Sequence, residues 1–157
     1  MNSEIAIKNL INKNITISTA ESATAGGIVS RIGDVAGASN ILKESFVTYS
    51  NEAKIRILSV NEDTINKYGV VSKEVAIEMV KGLYNITHSD LCISITGSFG
   101  PTTYDNTKVG DVYIGMYYNN KLDMYFENFI GDRLLIKEKT INRVFELIAD
   151  LIGLDYE

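Results

Sequence analysis

Polar and hydrophobic positions along the chain follow two periods, one near 3.6 and one of 2, and they change over at identifiable breaks. Ile7, Leu10 and Ile11 form one stripe, which predicts a short helix over 4–13 with Ser3 in the capping position. The run 15–20, Ile-Thr-Ile-Ser-Thr-Ala, predicts a strand. Residues 23–32 predict a helix burying Ile28, Val29 and Ile32. Gly26 and Gly27 are costly inside a helix and suit a close backbone approach to a neighbour or ligand. A loop follows over 34–39, then a second strand over 45–49 and a helix over 51–58. Asn61 caps another short helix that Gly69 ends, and Ser72 caps a longer one with Val75, Met79, Val80 and Leu83 on its buried face. The most apolar strand is 91–96, and a polar loop occupies 97–108. Strands over 109–118 and 121–130 meet at Asn119-Asn120, a pair suited to a tight hairpin turn. Asp132 caps the last helix, in which Ile136, Ile141, Val144, Phe145, Ile148 and Ile152 recur at helical spacing.

This order of elements predicts an α/β fold, a three-layer α/β/α sandwich on a mixed sheet. The length of 157 residues fits a single domain over 1–157, and no linker, repeat or low-complexity segment interrupts it. Hydrophobic residues at 45% and charged residues at 22% are ordinary globular values and argue against disorder. One cysteine, Cys92, excludes a disulfide framework, and its place in the apolar strand reads as core. A net charge of −5 disfavours a broad nucleic-acid or anionic-membrane footprint, while leaving room for a small phosphate pocket. No secretory signal or apolar run of membrane-spanning length is found, so a cytoplasmic protein is expected and the Asn-x-Thr triplets at Asn14 and Asn85 are read as chance.

In open α/β sheets ligands bind beyond the carboxyl ends of strands. Here those ends read Thr19 to Gly27, Tyr49 to Lys54 and Thr96 to Pro101, all small, polar or glycine-rich. Parallel pairing of the three strands would gather them in one cleft. Ser22 stands where a strand turns into a helix, with the amides near Thr24 and Ala25 as donors for an oxyanion. A serine needs a base. The single histidine, His88, precedes the third strand and so falls at the wrong end of the sheet for a triad. Lys54 falls at the right end. As a base near neutral pH it would need its pKa lowered from about 10.4 by about three units through burial, and a contact with Glu52 would act the other way. Tyr49 and Thr96 would relay protons or align the serine. A basic side chain near the cleft, Arg133, would take a phosphate.

Each motif alone has a plainer reading, since a junction serine is usually a cap and a helix lysine usually solvated. Gly26-Gly27 matches neither the phosphate-loop nor the dinucleotide pattern. No His/Cys/carboxylate spacing suggests a metal site. The tyrosines of the hairpin read as packing residues, with a surface that suits a homo-oligomer.

Jointly the segments resemble the C-terminal domain of the competence/damage-inducible CinA family. Ala20-Glu21-Ser22-Ala23-Thr24-Ala25-Gly26 is similar to its Ala-Glu-Ser-Cys-Thr-Gly-Gly, and Tyr49-Ser50-Asn51-Glu52-Ala53-Lys54 matches without a change. Gly37-Ala38-Ser39, Gly69-Val70-Val71-Ser72, Thr96-Gly97-Ser98-Phe99-Gly100-Pro101, Val109-Gly110-Asp111-Val112 and Gly131-Asp132-Arg133 follow in the family's order. The resemblance implies deamidation of nicotinamide mononucleotide to nicotinic acid mononucleotide and ammonia, with no metal or organic cofactor. It implies catalytic roles at Ser22, Lys54, Tyr49 and Thr96. Substrate contacts are expected at Glu21, Thr24, Ala25, Gly26, Asn51, Gly97, Ser98, Gly100 and Arg133. The implied partner is a small-molecule nucleotide, without nucleic acid or membrane. The pyrophosphatase domain of longer CinA proteins is not expected within this length.

Ala23 and Ala25 stand where the family has Cys and Gly, and Ser98-Phe99 replaces Ile-Ala. The stretch 102–108 lacks glycine and is about one residue shorter than the family's glycine-rich loop. Phe99 is expected to fill part of the pocket. These departures keep a second reading open, a catalytically inactive or altered-specificity module of the same fold that binds a nucleotide or a protein.

Overall fold

The computed structural model describes residues 3–104 and 106–153. The elements in chain order are α1 (Ser3–Asn12), β1 (Ile17–Glu21), α2 (Gly27–Gly33), β2 (Phe46–Val47), α3 (Asn51–Leu58), α4 (Glu62–Tyr68), α5 (Lys73–Thr87), β3 (Leu91–Gly97), β4 (Asp111–Tyr118), β5 (Lys121–Asn128) and α6 (Arg133–Leu151). The strands form one mixed sheet in the order β2-β1-β3-β4-β5. β1 runs parallel to both β2 and β3, with Ala20 opposite Phe46 and Ser94, while β4 and β5 return antiparallel.

Alternation along the central strands fills both faces. Ile93 and Ile95 of β3 join Ile7, Leu10, Ile28, Val144, Phe145 and Ile148 in a core under α1, α2 and α6. Cys92 and Ala20 face the other way, against Leu58, Val75, Met79 and Leu83 of α3 and α5. On that second face β3 also buries two hydroxyls, and each is tied to a carbonyl: Ser94 Oγ donates to Ala76 O at 2.7 Å and Thr96 Oγ1 to Val70 O at 2.8 Å. Such ties offset the cost of burying a polar group. α3 and α5 cross closely, because a Cβ at Gly82 would stand 1.9 Å from Leu58 O.

The capping residues read from the sequence hold their helices. Ser72 Oγ accepts from Val75 N, Asn61 Oδ1 from Asp63 N, and Asp132 Oδ1 from Leu135 N. Asn119 and Asn120 have φ of 52° and 60°, the two left-handed residues of a tight hairpin turn. Several boundaries differ from expectation, β1 starting at Ile17 and β5 ending at Asn128 among them. α2 begins at Gly27, because Ala25 at φ 50° and Gly26 at φ 89° reverse the chain just before it. The second strand pairs only over Phe46–Val47, at the edge of the sheet. β4 starts two residues late, because Gly110 turns at φ 94° with its Cα pressed on Phe129, where a Cβ would meet the carbonyl oxygen at 1.9 Å. Among the described residues no helix is long and apolar enough to cross a membrane.

Candidate functional site

Parallel pairing brings the carboxyl ends of β1 and β3 together. Ser22 follows β1 directly, and its amide donates to Ile95 O at 3.1 Å, which extends the ladder by one residue and fixes the serine backbone. Its neighbour Glu21 is fully buried. The Glu21 carboxylate accepts from Thr19 Oγ1 at 2.9 Å, Thr24 Oγ1 at 2.7 Å, Ile28 N at 2.9 Å and Val29 N at 3.0 Å. It therefore occupies the positive end of α2 and ties the turn after Ser22 to the strand before it. This corrects the expected substrate contacts at Glu21 and Thr24, since both side chains face inward and are used up by one another.

The same cap changes where an oxyanion would be held. The Ala25 amide donates to Ser22 O at 2.9 Å and the Gly27 amide to Thr24 O at 2.9 Å, so the Ala25 donor expected for the oxyanion is already engaged. The Ala23 amide has no acceptor among the described residues, and Ala23 borders the same hollow as Ser22. Gly26 acts through its left-handed backbone and does not border that hollow.

Lys54 reaches the serine from α3, whose first turn is capped by Ser50 Oγ accepting from Ala53 N at 3.0 Å. The side chain is 1% exposed. Its Nζ lies 3.0 Å from Ser22 Oγ, 2.9 Å from Thr48 O and 3.3 Å from Tyr49 O. No carboxylate pairs with it among the described residues, and Glu52 is exposed on the outer side of the helix start. Burial pushes the Lys54 amine down to about 8. Three partners match three ammonium protons. On losing one, the amine keeps two N–H bonds to the carbonyls and turns a lone pair towards Ser22, which is the arrangement a base requires.

Beside Ser22 lies a hollow of about 370 Å³, bordered among others by Tyr49, Gly97, Phe99, Gly100 and Arg133. Arg133, the first residue of α6, spans part of it. Its Nη1 donates to Gly100 O at 2.7 Å and its Nη2 to Tyr49 Oη at 2.7 Å. Phe99 is 3% exposed and takes up space in the floor, as its bulk predicts.

The geometry places several of the expected site residues away from the serine–lysine pair or the hollow. Tyr49 presents its carbonyl to Lys54, while its half-exposed ring carries the hydroxyl to Arg133 and not to Ser22 or Lys54. The Thr96 hydroxyl is spent on Val70 O, on the α5 side of the sheet. Ser98 is buried without a partner for its Oγ and does not border the hollow, nor does the exposed Asn51. One group escapes the sequence reading altogether, and one stretch is legible only in part. The missed group is the Thr48 carbonyl, a backbone atom with no side-chain signature. The stretch after β3 stands out in the sequence as a departure, but not which of its residues border the hollow; they are Pro101, Thr102, Thr103 and Tyr104. The absence of glycine in that stretch was the one available signal. Among the described residues no three His, Cys, Asp or Glu side chains gather as metal ligands.

Fold and site define a class: an α/β/α sandwich that buries a serine–lysine pair at the carboxyl end of its parallel strands, next to an open hollow. The chain belongs to the CinA family, for residues 2–152 match the model of the CinA C-terminal domain. It is 42% identical over 150 residues to the "Putative competence-damage inducible protein" of Caldicellulosiruptor saccharolyticus, covering 95% of this chain and 36% of that one. The chain spans about a third of the length of the curated relatives it matches. A crystal structure of a competence-damaged protein (CinA) superfamily protein from Escherichia coli aligns with TM-score 0.91 and 27% identity, over 95% of this chain and 87% of that one. The competence/damage inducible protein CihA from Agrobacterium tumefaciens aligns with TM-score 0.90 and 26% identity, over 96% of both chains.

Proposed function

We propose that the chain is an amidohydrolase that deamidates nicotinamide mononucleotide, with Ser22 as nucleophile and Lys54 as its base. The observation that carries this reading is the 3.0 Å contact between a desolvated amine and the Ser22 hydroxyl. With its pKa near 8, about one amine in ten is neutral at pH 7, against about one in three thousand for an ordinary lysine. Ser22 Oγ attacks the carboxamide carbon while Lys54 takes its proton. The carbonyl oxygen gains the negative charge beside the Ala23 amide. Lys54 returns the proton to the leaving nitrogen, ammonia departs, and an ester to Ser22 remains. Water, deprotonated by Lys54, cleaves that ester and restores the serine. Arg133 uses two of its five N–H groups within the protein and has others for a phosphate. A nucleotide substrate places the reaction in the cytoplasm.

The test is ammonia release from nicotinamide mononucleotide. Turnover by the parent chain that vanishes in Ser22→Ala is the expected result. Equal turnover by the variant overturns the reading. Phe99 in the pocket floor favours one other reading, nucleotide binding without turnover. Calorimetric binding of the mononucleotide with no ammonia formed would establish it instead.

A further inference from the structure

Tyr104 is the feature of the hollow that the catalytic scheme leaves unused. It is 52% exposed, as is Tyr49, and both border the space beside Ser22, with buried Phe99 below. Three aromatic residues thus border one small space. An exposed tyrosine ring leaves a large apolar area in water, and a planar ligand that covers it recovers that area.

The chain fixes where Tyr104 stands. The Tyr104 carbonyl accepts from Thr107 N at 3.1 Å and from Thr107 Oγ1 at 2.7 Å. At the base of the same excursion, Ser98 N donates to Asp111 O at 2.8 Å and Gly110 N to Ser98 O at 2.7 Å. Gly100 lies against Val109, where a Cβ would come within 2.8 Å of Val109 Cγ1, and its carbonyl is held by Arg133. Tyr104 therefore projects from a stretch tied at its neck and at its own carbonyl. This is also where the sequence replaces a glycine-rich run with Thr102-Thr103-Tyr104.

We infer that Tyr104 is a specificity residue whose ring stacks on the planar aromatic ring of a carboxamide substrate, while Arg133 holds the anionic end and Ser22 meets the amide carbon. The inference rests on the amidase reading for its substrate. It goes beyond that reading in assigning the choice of an aromatic over an aliphatic amide to a residue outside the serine–lysine pair. A pyridinium carries positive charge, which a tyrosine face attracts in addition to stacking.

The experiment compares the parent chain with Tyr104→Ala and Tyr104→Phe. Steady-state ammonia release from nicotinamide mononucleotide should show KM raised about tenfold in Tyr104→Ala, with kcat within about twofold. Tyr104→Phe keeps the ring and should stay within about twofold in both. In parallel, dissociation constants for nicotinamide mononucleotide and for ribose 5-phosphate are measured by calorimetry in the Ser22→Ala background. Tyr104→Ala should weaken the mononucleotide about tenfold and leave the sugar phosphate unchanged. Equal weakening of both ligands, or a Tyr104→Phe as poor as Tyr104→Ala, overturns the ring contact. So does an unchanged affinity in Tyr104→Ala, or a mononucleotide that fails to bind at all. If the parent chain releases no ammonia but the binding difference holds, the amidase reading falls and the assignment of Tyr104 stands.

Discussion

The two ends of the sheet offer hollows of the same size and opposite chemistry. At the carboxyl end of β1 and β3 the space beside Ser22 measures about 370 Å³. At the other end a space of about 370 Å³ is bordered by Lys13, Tyr84, His88, Asp90 and Tyr117. That far end holds the only histidine and, next to it in sequence, a buried serine. By inventory it looks the better equipped. Its groups are nevertheless spent or solvated. Ser89 Oγ shares a 2.6 Å hydrogen bond with Ser18 Oγ, Asp90 accepts from Thr16 N and Oγ1, Lys13 donates to Ile152 O, and His88 is exposed with its ring edge-on to Tyr84. Two serines are buried at opposite ends, one against another hydroxyl and one against a desolvated amine. Only the second pairs the hydroxyl with a group whose pKa is brought down to about 8. Volume and residue types do not mark a site here, whereas an amine held out of water and aimed at a hydroxyl does.

The largest effect that would test this contrast is loss of each serine. Ser22→Ala should lower ammonia release by about 10⁴-fold or more, in line with loss of a nucleophile elsewhere. Ser89→Ala should leave activity within about twofold and cost about 1 kcal/mol of stability, because Ser18 keeps a buried hydroxyl without its partner. Comparable losses of turnover in both variants would erase the distinction between the ends.

Next in size is the response to pH, which separates a buried amine from a solvated one. The rate should rise with pH through an inflection near 8, because the neutral amine is the active form. Lys54→Met should lower the rate about 10³-fold and remove that inflection. Stability follows the same group with a definite sign. The folded-state pKa near 8 lies below the ordinary value of 10.5, so between them the unfolded chain binds more protons than the folded one. The stabilising contribution is fully present above pH 10.5 and is lost as pH falls towards 8, a change of about 3 kcal/mol. Cys92, raised by burial to about 11, acts the opposite way above pH 9. Denaturant titrations of the parent chain and Lys54→Met, subtracted, isolate the lysine. A flat difference from pH 8 to 10.5 would show an amine that is not desolvated.

Much of this contrast is written in the sequence, and some of it is not. Caps and periodicity are local, so the order of elements and the turns at Asn61, Ser72, Asp132 and Asn119-Asn120 are readable directly. Strand direction then suffices to put His88 at one end and Ser22 with Lys54 at the other. The interior roles are not local. Glu21 and Thr96 look like polar residues at the mouth of a cleft, and only the packing of α2 and of the segment before α5 turns them inward. The carbonyls of Thr48 and Tyr49 that hold Lys54 leave no trace in residue type at all. The helix from 23 was misplaced for a backbone reason, since Ala25 adopts a conformation that its residue type disfavours.

Smaller effects sharpen the picture of the near end. Arg133→Ala removes the link between Gly100 O and Tyr49 Oη and, under the proposed reading, the phosphate contact. Charged hydrogen bonds contribute about 1.5–3 kcal/mol, so KM for the mononucleotide should rise about ten- to a hundredfold. Nicotinamide riboside, which lacks the phosphate, should be turned over equally by both chains. A loss shared by the riboside would assign Arg133 to holding the loop at Gly100 and not to the anion.

The smallest effect concerns strain, and it again separates the two ends. Among the described residues seven non-glycine positions have positive φ. At the far end these are Asn14, His88, Asn119 and Asn120, and asparagine tolerates that region because its short amide bonds locally. At the near end they are Asn106, which has the same local amide, and Ala25, at φ 50°, with only a methyl group and no such compensation. Ala25→Gly should therefore raise stability by about 1 kcal/mol, or roughly 3 °C in Tm, although glycine is usually destabilising. Ala36→Gly, in an exposed turn without positive φ, should lose stability, which controls for the general cost of glycine. Strain held at the turn beside Ser22 keeps that serine's backbone in place through the Ala25 amide bond to Ser22 O. If Ala25→Gly stabilises the chain and lowers kcat, the strained turn serves catalysis at a cost in stability. If it stabilises and leaves kcat unchanged, Glu21 alone suffices to hold the turn.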